Sequence, residues 1–471
     1  MRTLFDFKCM KKIIIIVLAI FLGSCNYLDV EPVGQVMPRS VDDYRAMLTS
    51  AYNGSWNYRY RLAWPSDEVG DLASDFGTYT STILNVTWRA DNNLAQENSY
   101  QDFYKAIFYT NEIIDKIDNA EQDGSTDSKS QIKAEAYAIR AYCYFDLLNI
   151  YAKWYDASTA STDLGVPVTT SIDIKQKFPR LSVEEVYKQI FSDLEQAINL
   201  MEVDSQPKEY NYRFSKISLS AFEARVRLYR GEWDKALTLA EKVIGSTNES
   251  SFCLENMLVD GYEKPYSSKS KEAILALEKP FIPLVFDLQG TLLSERIVSL
   301  FGEGDARTDV YMNKSEINTP DFSCFMDVYR FGKEKERVSI RLSEIYLIAA
   351  EAAAKKANPD LEKVKLYLNE LQEKRIVADN LKDLNILSKE ELLNEIADER
   401  ARELIGEGHR WFDLKRTTRP SITKKLLKTW YFNWDTFEEI KEYDEYVLNE
   451  NDNRYILPFP RSAKEINPYL N

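Results

Sequence analysis

Apolar residues along most of this chain recur every three or four positions. In the stretch 131–151 they fall at Ile132, Ala136, Ile139, Cys143, Leu147 and Ile150. That period puts them on one face of a helix. The same spacing predicts helices over 100–118, 182–201, 214–230, 233–244, 341–356, 361–375 and 389–405. Local chemistry supports several starts. Ser182 stands three residues before Glu185, the spacing of a capping box, and Asn358-Pro359-Asp360 opens the helix at Leu361.

Helices that follow one another this closely suggest helical hairpins. One junction is specific: Ala224, Leu228, Tyr229, Gly231, Trp233, Ala236 and Leu237. Small residues let two helices approach, the glycine reverses the chain, and an aromatic two residues later wedges the crossing. This order resembles the tetratricopeptide pattern. A second junction carries Ala350, Ala353 and Ala354 before Asn358-Pro359, with Val364 beyond the turn. The expected pairs are 100–118 with 131–151, 182–201 with 214–230, 233–244 with 341–356, and 361–375 with 389–405. Trp233 and Ala236 are expected to be buried at a crossing. Two stretches break the period. Residues 55–98 are rich in Trp, Tyr, Asp and Asn, and 245–338 hold only short apolar runs at 273–277 and 281–286. Irregular stretches this long usually serve a function. The fold expected from the period is mainly α: helical hairpins with long functional loops and a few short strands between them.

The N-terminal end obeys another logic. Lys11-Lys12 precede an apolar run at 13–22, which closes in Leu22-Gly23-Ser24-Cys25. That order reads as a secretory signal. The run falls short of the about 20 apolar residues needed to cross a bilayer. A small-residue site ending on cysteine resembles a bacterial lipobox, which implies cleavage before Cys25 and a lipid on its thiol. Residues 26–39, with two prolines and a glycine, read as a tether and entry segment. The expected organisation is a signal over 1–24, a tether over 25–39 and a single domain over 40–471. Met10 is an alternative start.

Composition narrows the function. The chain has 471 residues and a formal net charge of -15, a balance that repels phosphate backbones and excludes nucleic acid as a partner. Cys9, Cys25, Cys143, Cys253 and Cys324 are too scattered for a disulfide framework, and Cys143 reads as a buried small hydrophobe. One histidine, His409, excludes two-histidine metal sites. No phosphate loop, Ser/His/Asp motif or CxxC points to a cofactor.

Near the C-terminus stands Asp398-Glu399-Arg400-Ala401-Arg402-Glu403-Leu404-Ile405-Gly406-Glu407-Gly408-His409-Arg410-Trp411-Phe412-Asp413-Leu414-Lys415-Arg416. Physically it is a charged helix end, a glycine exit and an aromatic-rich turn. Glu399 and Asp398 each lie within ion-pairing reach of Arg402, with Trp411 and Phe412 available to pack beneath. The string resembles the signature of the SusD/RagB family of outer-membrane nutrient-binding lipoproteins. Ile456-Leu457-Pro458-Phe459-Pro460 through Asn467-Pro468 is similar to that family's closing segment. Arg341-Leu342-Ser343-Glu344-Ile345-Tyr346-Leu347 resembles a third signature, and Pro65-Ser66-Asp67-Glu68 with Asn111 its N-terminal part. The resemblance implies a single, mainly α domain in which four tetratricopeptide-like hairpin pairs support an irregular, loop-rich ligand-binding half with a few short strands, a glycan ligand, and a SusC-like TonB-dependent transporter as partner. It also implies a lipid anchor in the outer membrane, with the domain facing the cell exterior.

Glu399 and Glu403 invite a catalytic reading, because two carboxylates suffice for glycoside hydrolysis. They alternate with arginines, however, which favours structural ion pairs. His409 lacks an evident orienting partner, and Asp305-Ala306-Arg307 reads as a loop salt bridge. Sugar rings stack their flat C–H faces on aromatic side chains, and their hydroxyls need Asn, Asp or Arg. Tyr58, Trp64, Tyr79 and Trp88, interleaved with Asp75, Arg89 and Asn92, are the expected ligand contacts, Trp88 foremost. Three function classes follow: a surface glycan-binding subunit of an importer, a secreted glycan-degrading enzyme, and a lipid-anchored scaffold for proteins. The signatures favour the first.

Overall fold

The computed structural model describes residues 38–54, 58–70, 72–73, 84, 86–89, 94–172, 177–247, 252–278, 293–318, 325–331 and 337–470. The signal, Cys25 and most of the tether lie outside the described residues, as does the apolar run 281–286.

The first element is a helix not among those expected from the apolar period, α1 (Val41–Tyr52). Ser40 caps it: its hydroxyl accepts from the Asp43 N–H, and the Asp43 carboxylate accepts from the Ser40 N–H at 3.0 Å. The eight predicted helices all form. They are α2 (Leu94–Lys116), α3 (Lys129–Tyr151), α4 (Val183–Leu200), α5 (Lys216–Tyr229), α6 (Trp233–Ile244), α7 (Leu342–Lys355), α8 (Leu361–Gln372) and α9 (Lys389–Glu403). A short α10 (Arg410–Arg416) follows. Helices α3 and α7 are buried on nearly every side, so the others pack around them. Cys143 is a free thiol inside α3, fully buried among apolar neighbours.

Helix partners differ in part from expectation. α2 packs on α3, and α6 on α7, as the spacing predicts. α4 packs chiefly on α3 rather than α5, α5 on α6, and α8 on α7 rather than α9. Connection length is the reason. Residues 230–232 join α5 to α6 and 356–360 join α7 to α8, so each pair must fold back on itself. Residues 201–215 separate α4 from α5 and leave them free to choose other neighbours. Gly231 makes its turn at φ +77°, and the Trp233 ring lies 3.5 Å from where a Cβ would sit. Ala236 is fully buried. Trp233 is only half-buried, a correction to the sequence reading: it sits at the rim of the hairpin with the Lys355 ammonium 5.1 Å from its ring centroid.

The strands are short except at the C-terminus. They are β1 (Leu72–Ala73), β2 (Leu164–Pro167), β3 (Arg180–Ser182), β4 (Ala273–Leu275), β5 (Met312–Asn318), β6 (Phe325–Phe331), β7 (Ile340–Arg341), β8 (Ile422–Asn433) and β9 (Glu438–Leu448). β4 occupies the predicted apolar run at 273–277 and pairs with β7. β8 and β9 form a long hairpin, and β1 joins β8 in parallel, so the sheet order is β1-β8-β9. Among the described residues no helix is long and apolar enough to cross a membrane.

Candidate functional site

Helix α9 places Glu395, Glu399 and Glu403 one turn apart on a buried face. Glu403 accepts from three guanidiniums that come from three other parts of the chain. Arg307 Nη1 donates at 3.0 Å, Arg341 Nη1 at 2.5 Å and Arg375 Nη2 at 2.9 Å, and all three arginines are 0% exposed. Arg307 also binds Glu399 at 2.5 Å and Asp305 at 2.7 Å. Arg375 reaches Glu272 at 2.6 Å, and Arg402 binds both Glu399 and Glu395 at 2.5 Å.

Burial by itself raises the pKa of these carboxyls. At Glu399 the guanidiniums of Arg307 and Arg402 more than reverse that and pull it down to about 2. At Glu403 the arginines at 375, 341 and 307 win by more, and it falls far below the ordinary range. A general acid must hold its proton near neutral pH. These groups do not, so the reading of 399 and 403 as ion pairs holds. His409 is buried, and burial together with the Arg225 and Arg59 charges drives its pKa well below the ordinary value. It is a neutral packed ring whose Nδ1 has no hydrogen-bond partner.

The same motif clasps the N-terminal segment. Arg410 donates to both Asp67 oxygens at 2.7 and 2.8 Å, and the Gly406 N–H donates to Glu68 at 3.0 Å. A Cβ on Gly408 would lie 2.7 Å from the Arg59 carbonyl oxygen, so only glycine admits this approach. Burial pushes both Glu68 and Glu407 up to about 7. The signature is thus an interior frame that fixes 58–68 against 403–413.

The expected ligand residues divide into two groups. Tyr58, Trp64 and Trp88 are 3%, 4% and 8% exposed, which corrects their assignment as stacking faces. Tyr58 donates to Glu278 at 2.7 Å and also bonds Asp146, inside a network completed by Arg59. Trp64 gives its carbonyl to Lys424 at 2.5 Å. The Trp88 indole N–H donates to the Pro65 carbonyl at 2.9 Å, and the Lys424 ammonium lies 5.2 Å from its ring centroid. The Trp88 backbone is left-handed at φ 55°, held there by this packing. Arg89 is exposed, its guanidinium 4.3 Å from the centroid of the Tyr446 ring. Asp75, Tyr79 and Asn92 lie outside the described residues.

Trp64, Trp88 and Arg89 therefore meet the base of the β8–β9 hairpin, where Lys424 and Tyr446 are register partners. This hairpin is not among the elements expected from the sequence. A signal existed: Trp430-Tyr431-Phe432 run into Asn433-Trp434-Asp435, β-forming residues followed by a turn former. Its tip exposes Trp434 and Phe437. Among the described residues no group of three or more His, Cys, Asp or Glu is arranged to hold a metal.

Two family profiles match the chain. One, described as starch-binding and associating with the outer membrane, covers residues 26–228; the other, described as the SusD family, covers 325–471. SusD-like protein P38 of Formosa agariphila is 26% identical, over 84% of this chain and 89% of its own length. SusD-like protein P2 of the same organism is 26% identical over 86% and 90%. A SusD superfamily protein from Bacteroides thetaiotaomicron superposes with a TM-score of 0.70 at 25% identity, over 91% of this chain and 98% of its own. A laminarin-binding SusD-like protein gives a TM-score of 0.59 at 21% identity, over 80% and 92%.

Proposed function

The chain belongs to the SusD/RagB family, and from that premise we propose that it is a cell-surface lipoprotein that binds a glycan and passes it to a SusC-like TonB-dependent transporter. The observation that carries this reading is the match of both chain halves to the family, one of whose profiles is described as starch-binding and outer-membrane associated. Cys25 is the anchor. A lipid on that thiol holds the protein at the outer membrane without a spanning helix. The ligand rim begins at exposed Arg89 and includes Asp75, Tyr79 and Asn92 from the same segment.

The protein binds its glycan and does not cleave it. The carboxylates of the C-terminal signature are held by arginines in the interior, which supports binding over hydrolysis. Three measurements test the reading. Affinity electrophoresis of the domain after Cys25 against a polysaccharide panel should give retardation by at least one glycan. Long incubation with that glycan should release no oligosaccharide; release that disappears on mutating one carboxylate moves the protein to the enzyme class. Cys25→Ala should leave the membrane fraction, and a variant retained at wild-type level sinks the anchor.

A further inference from the structure

We propose that the tip of the β8–β9 hairpin is a second stacking site, which grips a neutral polysaccharide several sugar units away from the Arg89 rim. This rests on the glycan reading above.

Four residues, Trp434-Asp435-Thr436-Phe437, turn the chain between the paired residues Asn433 and Glu438. The Asn433 side-chain oxygen accepts from the Asp435 N–H at 2.9 Å and the Thr436 N–H at 3.4 Å. That Asx turn holds the loop in one shape. Trp434 and Phe437 are 70% and 76% exposed, the two most exposed aromatics among the described residues. Phe437 stands at φ 57°, a left-handed backbone that a bulky side chain adopts only where its surroundings impose it. Single exposed hydrophobes need no explanation. Two large rings on one capped, strained turn do.

The chemistry selects the occupant. Flat ring faces suit the C–H faces of a sugar, and exposed Asp435 and Thr436 between them can bond its hydroxyls. Glu438, Glu442, Asp444 and Glu445 are all exposed along β9, on a chain of net charge -15. That field repels phosphate headgroups and sulfated or uronic polymers, while a neutral sugar feels none of it. The hairpin also runs outward from Arg89. β1 pairs with β8 at Leu426 and Leu427, and Arg89 lies over Tyr446 of β9. Strands rise about 3.3 Å per residue, so the path from Leu426 to Asn433 carries the tip about 20 Å outward. A short oligosaccharide seated at the rim ends before the tip. A polymer reaches both, and the second contact then acts at high effective concentration.

The test compares wild type with Trp434→Ala/Phe437→Ala. Affinity electrophoresis uses laminarin, soluble starch and xylan; calorimetry uses the trisaccharide of whichever polymer retards the wild type. Expected is a loss of about tenfold or more for the polysaccharide, with trisaccharide affinity kept within about twofold. Phe437→Gly is the control for folding. It removes a ring and relieves the left-handed backbone, so its thermal melt should not fall while its polysaccharide affinity does. Wild-type retardation of the double variant overturns the proposal. Equal losses for both ligand lengths overturn it too, since the tip would then be the primary site. So does intact retardation with lost co-purification of the transporter, which would make the tip a protein contact. A wild type retarded by no glycan of the panel removes the glycan reading, and this site with it; one retarded only by charged glycans overturns this site alone.

Discussion

Neutralising Glu403 at constant shape tests whether the C-terminal signature is a structural frame. Glu403→Gln keeps one acceptor oxygen but turns an amide N–H2 toward guanidiniums that already donate. The carboxylate now faces Arg307, Arg341 and Arg375, each fully buried. Breaking a buried ion pair by removing one partner costs about 3–5 kcal/mol. Glu272, Glu399, Glu407 and Asp305 remain to hold the three arginines, which argues for the lower end, about 3–4 kcal/mol. The entropy of unfolding, ~2.1 cal/mol/K per residue, gives about 1 kcal/mol/K for a chain of 471 residues. The melting temperature should therefore fall by about 3–4 °C at pH 7. Acidity supplies the discriminating readout. Burial raises the Glu403 pKa, but Arg375, Arg341 and Arg307 hold it far below the ordinary 4.5. A carboxylate depressed in the folded state contributes stability that is complete above its unfolded value and is lost as pH falls toward its folded one. The gap between wild type and variant should narrow below about pH 4.5. Thermal melts by circular dichroism above and below that pH measure it. Equal melting at pH 7, or a gap that widens below about pH 4.5, refutes the frame.

Two further outcomes follow from buried groups. Burial lifts Glu68 to about 7, against the opposing Gly406 N–H, so between 4.5 and 7 the folded protein holds a proton that the unfolded chain releases. Stability from this group falls as pH rises through that window. Glu68→Gln cannot ionise, and its melting temperature relative to wild type should rise by up to about 3 °C from pH 5 to 8; a pH-independent difference argues against it. Trp88→Ala should lose about 3–5 kcal/mol of stability and leave glycan affinity intact, because its ring is covered by Lys424. Weakened glycan binding at an unchanged melt would return Trp88 to the ligand site.

How much of this was legible can be seen in particular elements. The bounds of α6, Trp233–Ile244, are those its apolar period predicts. The Ser182–Glu185 capping box forms as read, and β4 lies in the short apolar run at 273–277. Of the two partners offered for Arg402, Glu399 forms the ion pair, and its other partner is Glu395 rather than Asp398. All of these depend on residues within a turn or two of one another, and a helix face or a cap is specified by its own neighbours in the chain. The partners of Glu403 were not legible. The string 398–416 shows arginines at 400 and 402, whereas the guanidiniums that bind Glu403 come from 307, 341 and 375. Nor does composition reveal which tryptophan is exposed. Trp88 stands in a polar, aromatic stretch and is covered by a lysine from β8, while Trp434, in a segment with no helical period, reaches solvent. Local periodicity is written in short-range sterics and backbone hydrogen bonding. Burial and charge pairing depend on which distant segments meet, and here connection lengths and packing of whole faces around α3 and α7 decide that.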